Sequence, residues 1–400
     1  MTQLGIWATR RARFAFARRD VRGVEAPLAS ATKDGVLLRT DLEFSVWNPD
    51  SDISNYKLVE PDDFVIGLRS FQHGISHSTV KGIVSPAYTV LRAVCDLEPR
   101  YYKHYFRSGL LISQLANITQ GIRQGQAIDI EAFQNLLVPV PPLEEQRRIA
   151  DFLDGESAKL DRGERLALRM IEVLQERDQA TIDQELSGLD ESHILPISAV
   201  CEKILDCVNK TAPVANEETP YRMIRTSNIR RGKVDVEQTY RVTEEVFRRW
   251  NRRGQPKPGD ILFTRQAPVG EAGLLRSDSP VFLGQQVMLF RPSRRIIPEF
   301  LLYNFLGSFM KSQFELASAG SAHTHMRVHD CVKLKAFCPP IESQIAISAR
   351  VKKVVEQGEE LRSAGDRQAR LLAERKQALI TAAVTGQFDV STASGRGIED

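Results

Sequence analysis

One stretch of 48 residues occurs twice in this 400-residue chain, and the repeat restricts the fold more than any other feature. The first copy, residues 141–188, opens Pro141-Pro142-Leu143-Glu144-Glu145-Gln146 and closes at Gly188. The second opens Pro339-Pro340-Ile341-Glu342-Ser343-Gln344 and closes at Gly386, 198 positions later and without a gap. A double proline followed by glutamate is a helix start, and glycine is a helix exit. Each copy therefore predicts one helix of roughly 40 residues, about 60 Å long. Ile149, Leu153, Leu160, Ala167, Met170, Leu174 and Thr181 fall on one heptad seam. Ile347, Val351, Val354, Leu361, Leu372 and Leu379 form the matching seam in the second copy. Gly163, Gly358, Gly365, Arg177 and Arg375 interrupt the pattern. Such rods do not fold alone, and the natural partner of each is the other copy.

The sequence ahead of each rod repeats as well. Residues 28–94 alternate short apolar runs with Gly, Pro, Asp and Asn, which reads as a twisted sheet with strands at 36–38, 64–68 and 87–91. A helix over 99–116, a polar loop over 117–125 and a run at 133–140 follow. In the second half Pro258-Gly259-Asp260-Ile261 answers Pro61-Asp62-Asp63-Phe64, and Phe305, Gln313 and Gly320 answer Phe106, Gln114 and Gly121. The fold class is α+β: a globular domain followed by a long helix, used twice. The expected boundaries are 1–140, 141–188, 189–338, 339–390 and a flexible tail at 391–400, with 189–197 crossing between the units. The Arg-rich first thirty residues read as an exposed amphipathic helix that turns Phe14 and Phe16 inward, or as a phosphate contact.

Composition narrows the function classes. No apolar run approaches the ~20 residues that cross a bilayer. No basic segment precedes an apolar one at the N-terminus, so no signal peptide is expected. Five scattered cysteines suit a reducing cytoplasm. The net charge of +3 is uninformative, but its distribution is not. Residues 221–265 hold twelve Lys or Arg against five Asp or Glu, interleaved with Thr226, Ser227, Asn228, Gln238, Tyr240 and Trp250. Arg pairs with guanine, Asn and Gln with adenine, and Ser or Thr with phosphates or bases. Two similar modules carrying different loops suit a reader of two separated DNA targets.

At this point the chain resembles a known family. Ser30-Ala31-Thr32-Lys33-Asp34-Gly35, Leu68-Arg69-Ser70-Phe71-Gln72 and Gly82-Ile83-Val84-Ser85-Pro86-Ala87-Tyr88 occur in the first half. Ile224-Arg225-Thr226-Ser227-Asn228-Ile229 and Gly320-Ser321-Ala322-His323-Thr324-His325 occur in the second. Together with Pro-Pro-Leu/Ile-Glu-x-Gln twice, this order is similar to the specificity subunit of type I restriction–modification enzymes. The resemblance implies two target-recognition domains, each reading half of a bipartite site in double-stranded DNA, with the helices packed antiparallel as a spacer. It also implies two modification subunits docked on that spacer, with restriction subunits joining them. S-adenosylmethionine is expected on the modification subunits, and ATP and Mg²⁺ on the restriction subunits, with no cofactor on this chain.

The residues agree with a non-enzymatic role. Gly232-Lys233 lacks the rest of a P-loop, Asn48-Pro49-Asp50-Ser51 lacks the second proline and aromatic of an amino-methyltransferase motif, and no Gly-x-Ser-x-Gly elbow is present. His323, His325, His329, Cys331 and Cys338 match no closed zinc spacing. Cys201 and Cys207 sit on an apolar stretch and read as core. The expected DNA contacts in the first domain are Arg69, Ser70, Gln72, His73 and His77, with Arg123, Gln124 and Gln126 from the polar loop. In the second domain they are Arg225, Thr226, Asn228, Arg230, Arg265, Gln266, His323, Thr324 and His325. The alternative role for Arg69 or Arg265 is an ion pair or backbone tether at a strand end. Phe152, Leu166, Leu168, Ile171 and Val173 are expected on the outer face of the first rod, where a partner protein would cover them. The remaining functional alternatives are a stand-alone nuclease and a coiled-coil scaffold without DNA specificity.

Overall fold

An aspartate placed just before a buried strand organises each half of the chain. The computed structural model describes residues 7–42, 53–94, 96–120, 127–266, 268–318 and 325–393. It divides into two units, Met1–Leu168 with Asp366–Asp400, and Arg169–Gly365. Each unit thus contains the first part of one long helix and the last part of the other.

In the first unit, Phe16–Arg19, Thr89–Ala93, Phe64–Ile66 and Ser76–His77 form an antiparallel four-stranded sheet in that order. Strand alternation sends Phe64, Ile66 and Leu91 to one face and Val65 and Val90 to the other. The first face meets Phe16, Tyr101, Tyr102, Tyr105 and Phe106, with ring centroids of Phe64 and Phe106 4.9 Å apart, edge to face. The second face is covered by Ala29, Val36, Val59 and Val84. Asp63 is fully buried at the head of its strand. Its carboxylate accepts from Arg92 Nε at 2.6 Å and from the backbone N–H of Glu60 at 2.8 Å.

The second unit repeats the device on a larger sheet. Its six strands run Cys201–Asp206, Val287–Pro292, Ile261–Thr264, Ala272–Leu274, Gly232–Val234, Ile229–Arg230. Ile261 and Phe263 face one core, and Leu262 faces another. Asp260, 1% exposed, accepts from Arg291 Nε at 2.7 Å and from the Lys257 N–H at 2.7 Å. The turn before each aspartate needs a left-handed residue, supplied by Asp62 at φ 68° and Gly259 at φ 93°. Cys201 and Cys207 are core residues.

Two local expectations are corrected. The Arg-rich opening is not a helix: Thr9–Arg11 and Phe16–Arg19 are strands joined by a 3-10 turn over Ala12–Phe14, with Phe16 buried at the start of its strand and Phe14, at the end of the turn, 61% exposed. The helix expected over 99–116 is two helices, Pro99–Tyr105 and Gly109–Asn117. The break comes at Ser108, whose hydroxyl accepts from the N–H of Leu111 and caps the second helix.

The repeated segments are helices at Leu143–Ser187 and Ile341–Val384. Within each unit the two run antiparallel. In the first, Lys376 Nζ lies 2.6 Å from Asp161 and Gly163 faces Leu372. In the second, Arg350 lies 2.6 Å from Glu185, Arg362 pairs with Asp178, and Gly365 faces Ile171. The heptad seam is buried as expected at Ile149, Leu153, Leu160, Ala167, Leu174, Ile347 and Val351, but it departs at two positions. Ile171 is 9% exposed, whereas Met170 and Leu361 are exposed. A straight helix repeats every 3.6 residues, so over ~20 residues its buried stripe drifts about half a position ahead of a 3.5 pattern. Leu166, Leu168 and Val173 are exposed, and Phe152 packs against Phe388 at 5.6 Å. The glycines that seemed to interrupt the pattern lie where the helices approach closely. A Cβ on Gly358 would stand 2.6 Å from Arg177 Nη2, and one on Gly365 would stand 2.9 Å from Met170 Cε. Among the described residues, no helix is long and apolar enough to cross a membrane.

Candidate nucleic-acid interface

In the first unit, strand Phe64–Ile66 delivers the chain to Gly67 and the short helix Ser70–His73. This turn closes tightly because Ser70 Oγ accepts the N–H of Gly67 at 2.8 Å. It ends at Gly74, φ 82°, where a Cβ would collide with the carbonyl oxygen of Phe106 at 2.1 Å. Arg69, Gln72 and His73 are left exposed on the turn. Arg69, Ser70 and His73 line a cleft of about 180 Å³ with Thr32 and Tyr88.

Ser70 and His77 are corrected as contacts. Ser70 is 4% exposed and its hydroxyl is committed to the turn. His77 is 7% exposed, its Nε2 lies 3.1 Å from Asp62, and burial pushes its imidazole below the ordinary pKa. Arg123, Gln124 and Gln126 lie outside the described residues.

In the second unit a cleft of about 350 Å³ gathers Arg225, Thr226 and Gln266. Ala212, Val214 and Met223 give it an apolar floor, and Lys210, Thr211, Gln285 and Gln286 complete its polar rim. The Arg225 guanidinium lies 3.9 Å from the centroid of the Tyr240 ring, which holds a planar cation at the mouth. Arg230 is exposed, with Nη1 donating to the carbonyls of Thr226 and Ile229 at 2.9 and 2.8 Å. Arg248, Arg249, Arg252, Arg253 and Lys257 are exposed on helix Glu244–Trp250 and the turn after it.

Two residues expected at this surface are internal. Asn228, 5% exposed, accepts the N–H of Arg225 at 3.0 Å and donates to the carbonyl of Gln238 at 2.8 Å. It braces the loop that presents Arg225. Arg265 is 5% exposed, pairs with Asp206 at 3.1 Å and donates to the carbonyl of Met326 at 3.3 Å. That is the tether at a strand end. His325 forms an isolated bridge with Gln266, while His323 and Thr324 lie outside the described residues.

The sequence reading missed Thr32, Tyr88, Lys210, Thr211, Gln285 and Gln286. Gln285 and Gln286 turn between strands Val281–Leu283 and Val287–Pro292, and Gln286 adopts a positive φ of 65°. A paired glutamine between two apolar runs was the available signal.

A family model described as the type I restriction modification DNA specificity domain matches residues 57–166. The chain is 24% identical over 326 residues to the Escherichia coli type I restriction enzyme EcoBI specificity subunit, covering 74% of this chain and 67% of the relative. It is 23% identical over 349 residues to the EcoKI specificity subunit of Escherichia coli strain K12, covering 82% and 74%. The fold is also that of a chain solved in work on complex assembly and conformational transition of the type I restriction–modification system. That likeness has a TM-score of 0.66 at 18% identity, covering 96% of this chain and 98% of the other.

Proposed function

We infer that this chain, which belongs to the family of type I restriction–modification specificity subunits, reads DNA for its complex and performs no chemistry itself. The observation that carries this reading is a constant frame with variable faces. Both units use a buried aspartate–arginine pair under the sheet, yet one cleft presents Arg69, Thr32 and Tyr88 and the other Arg225, Gln266 and Gln285. A frame used twice with different rims fits two half-sites of different sequence. Exposed arginines in each unit fit the phosphates that position a duplex, while rim amides and guanidinia fit base edges.

The long helices set the unspecified gap between half-sites and dock two modification subunits, to which restriction subunits attach. S-adenosylmethionine then serves the modification subunits, and ATP and Mg²⁺ the restriction subunits, in the cytoplasm. The exposed Leu166, Leu168 and Val173 support docking, since a two-helix rod leaves them uncovered.

The test is methylome sequencing of a host carrying this chain with its neighbouring modification subunit, beside a host lacking the chain. The expected result is a new methylated site of two short fixed blocks around an unspecified gap. A soluble assembled complex that leaves the methylome unchanged and binds random duplexes without preference refutes the reading.

A further inference from the structure

The first unit contains a second cavity of about 530 Å³, in the size range of small-ligand sites, that shares no lining residue with its proposed base-reading cleft. Its charged wall comes from helix Pro99–Tyr105 and the residues just after it, which supply Lys103, His104 and Arg107. Asp154 and Ser157 of the first long helix face them.

Most of these charges are neutralised in place. Lys103 Nζ lies 2.6 Å from Asp154, which also bonds the neutral His104 at Nε2 at 2.9 Å, and Lys376, also on the wall, lies 2.6 Å from Asp161. Arg107 differs. Among the described residues its side chain makes one hydrogen bond, to the carbonyl of Thr32 at 3.4 Å, and forms no ion pair, although Asp34 stands on the same wall. Burial lowers its pKa, and the Asp34 carboxylate on the same wall offsets this only in part. Ser157, 9% exposed, also turns a hydroxyl without a hydrogen-bond partner to this wall.

The fold does not require this arrangement, because the second unit fills the same place with apolar side chains. Lys103, His104 and Arg107 correspond to Leu302, Tyr303 and Leu306, and Ser157 corresponds to Val355. Leu302 and Tyr303 are buried, and Leu306 and Val355 pack on the core there. Neighbouring contacts are nevertheless shared. Gln377 donates to the carbonyl of Arg107 at 2.9 Å, as Gln179 donates to that of Leu306 at 3.0 Å. One copy keeps a cation and a hydroxyl where its twin keeps leucine and valine.

We propose that this cavity binds a phosphate-bearing anion, held by the Arg107 guanidinium and the Ser157 hydroxyl. A guanidinium and a hydroxyl are donors suited to phosphate oxygens, and an enclosed wall strengthens charge-assisted bonds to them. The phosphate can come from a DNA strand or from a free nucleotide or inorganic phosphate. The site adjoins the base-reading cleft through the Arg107–Thr32 bond but shares none of its lining residues, and it stands whether or not the DNA assignment does.

The test uses the full chain in a phosphate-free chloride buffer, titrated calorimetrically with inorganic phosphate. In parallel, affinity for duplex DNA is measured across a salt series. Arg107→Leu and Ser157→Val copy the second unit and should fold. Circular dichroism checks this, and Arg107→Lys keeps the charge if the leucine variant fails. A free-anion site gives saturable phosphate binding that Arg107→Leu weakens by about tenfold or more and Ser157→Val weakens less, with DNA affinity unchanged. A DNA-strand site gives phosphate competition with DNA, and Arg107→Leu then weakens all duplexes alike and lowers the salt slope by about one. A folded Arg107→Leu chain with an unchanged DNA salt slope, beside a wild type that shows no saturable phosphate heat, overturns the proposal.

Discussion

Gln146 Oε1 accepts the backbone N–H of Glu98 at 2.9 Å, joining the start of a long helix to the start of a domain helix 48 residues earlier in the chain. Its Nε2 donates to the carbonyl of Pro141 at 2.8 Å. Gln344 repeats both bonds, accepting from Ile297 at 2.9 Å and donating to Pro339 at 2.7 Å. Both glutamines are at most 1% exposed. The Gln of Pro-Pro-x-Glu-x-Gln is thus a latch between domain and rod. Gln146→Leu leaves the Glu98 N–H and the Pro141 carbonyl unpaired in the interior. It is expected to lower stability by about 1–3 kcal/mol per orphaned group, read as a lower urea midpoint. Gln344→Leu should behave alike, and an unchanged midpoint in both would rule out the latch.

The glycines of the rods divide into two kinds. Gly155 has open space around its missing Cβ, so Gly155→Ala should gain helix propensity and stabilise the chain by about 0.5–1 kcal/mol. Gly358 faces Arg177 Nη2 at 2.6 Å and both Asp178 carboxylate oxygens at 2.8 Å. Gly358→Ala should therefore displace the Asp178–Arg362 pair and lose at least what propensity gains, and Gly358→Leu should be clearly destabilising. Thermal melts of the three variants should rank Gly155→Ala first and Gly358→Leu last.

The ability to read this chain from sequence followed physical scale. The repeat, the turn before Asp63 and Asp260, and the long helices rest on local spacing, and a single sequence carries that information. Which face of a helix is buried 20 residues on depends on 3.6 against 3.5 residues per turn, which a heptad template cannot resolve at Met170 and Ile171. The candidate site was harder, because Arg, Asn and Ser serve structure and recognition equally well. Arg265 and Asn228 stand in loops of suitable chemistry, yet Asp206 and the Arg225 backbone claim them, and both partners are remote or invisible in a spacing pattern. Gln285 and Gln286 reach the cleft only because the sheet folds them there.

Arg265 and Arg225 should therefore fail differently. Arg265→Ala leaves Asp206 without its buried partner, and a cost of about 3–5 kcal/mol is expected for such a break. Recognition of the second half-site should be lost as a whole together with stability. Arg225→Ala or Gln266→Ala should keep stability and relax a single base position by ~1–3 kcal/mol. Methylation profiles against denaturant midpoints separate the two patterns, and single-base relaxation in a fully stable Arg265→Ala would reverse the assignment.

The exposed arginines after helix Glu244–Trp250 should act without regard to sequence. Arg252→Ala with Arg253→Ala is expected to weaken every duplex by a similar factor and to reduce the slope of log K against log salt by about two. A change confined to one site sequence would instead make them base readers.

Acid should loosen the first unit before it affects ordinary carboxylates. His77 and His104 are buried, and desolvation lowers both pKa values despite their bonds to Asp62 and Asp154. A histidine whose folded pKa is depressed stays neutral in the native state while its unfolded counterpart takes up a proton. Stability is then fully present above the unfolded value of ~6.5 and falls as pH drops toward the folded value. The urea midpoint should accordingly decrease between about pH 7.5 and 5.5. The Asp154 carboxyl, burial of which is outweighed by His104 and Lys103, is held well below the usual range. Its contribution is present above the unfolded carboxylate pKa of ~3.9 and is lost only in stronger acid. His77→Gln should shrink the drop between pH 7.5 and 5.5 without altering the loss in stronger acid, and a drop of undiminished size in that variant would place its origin elsewhere.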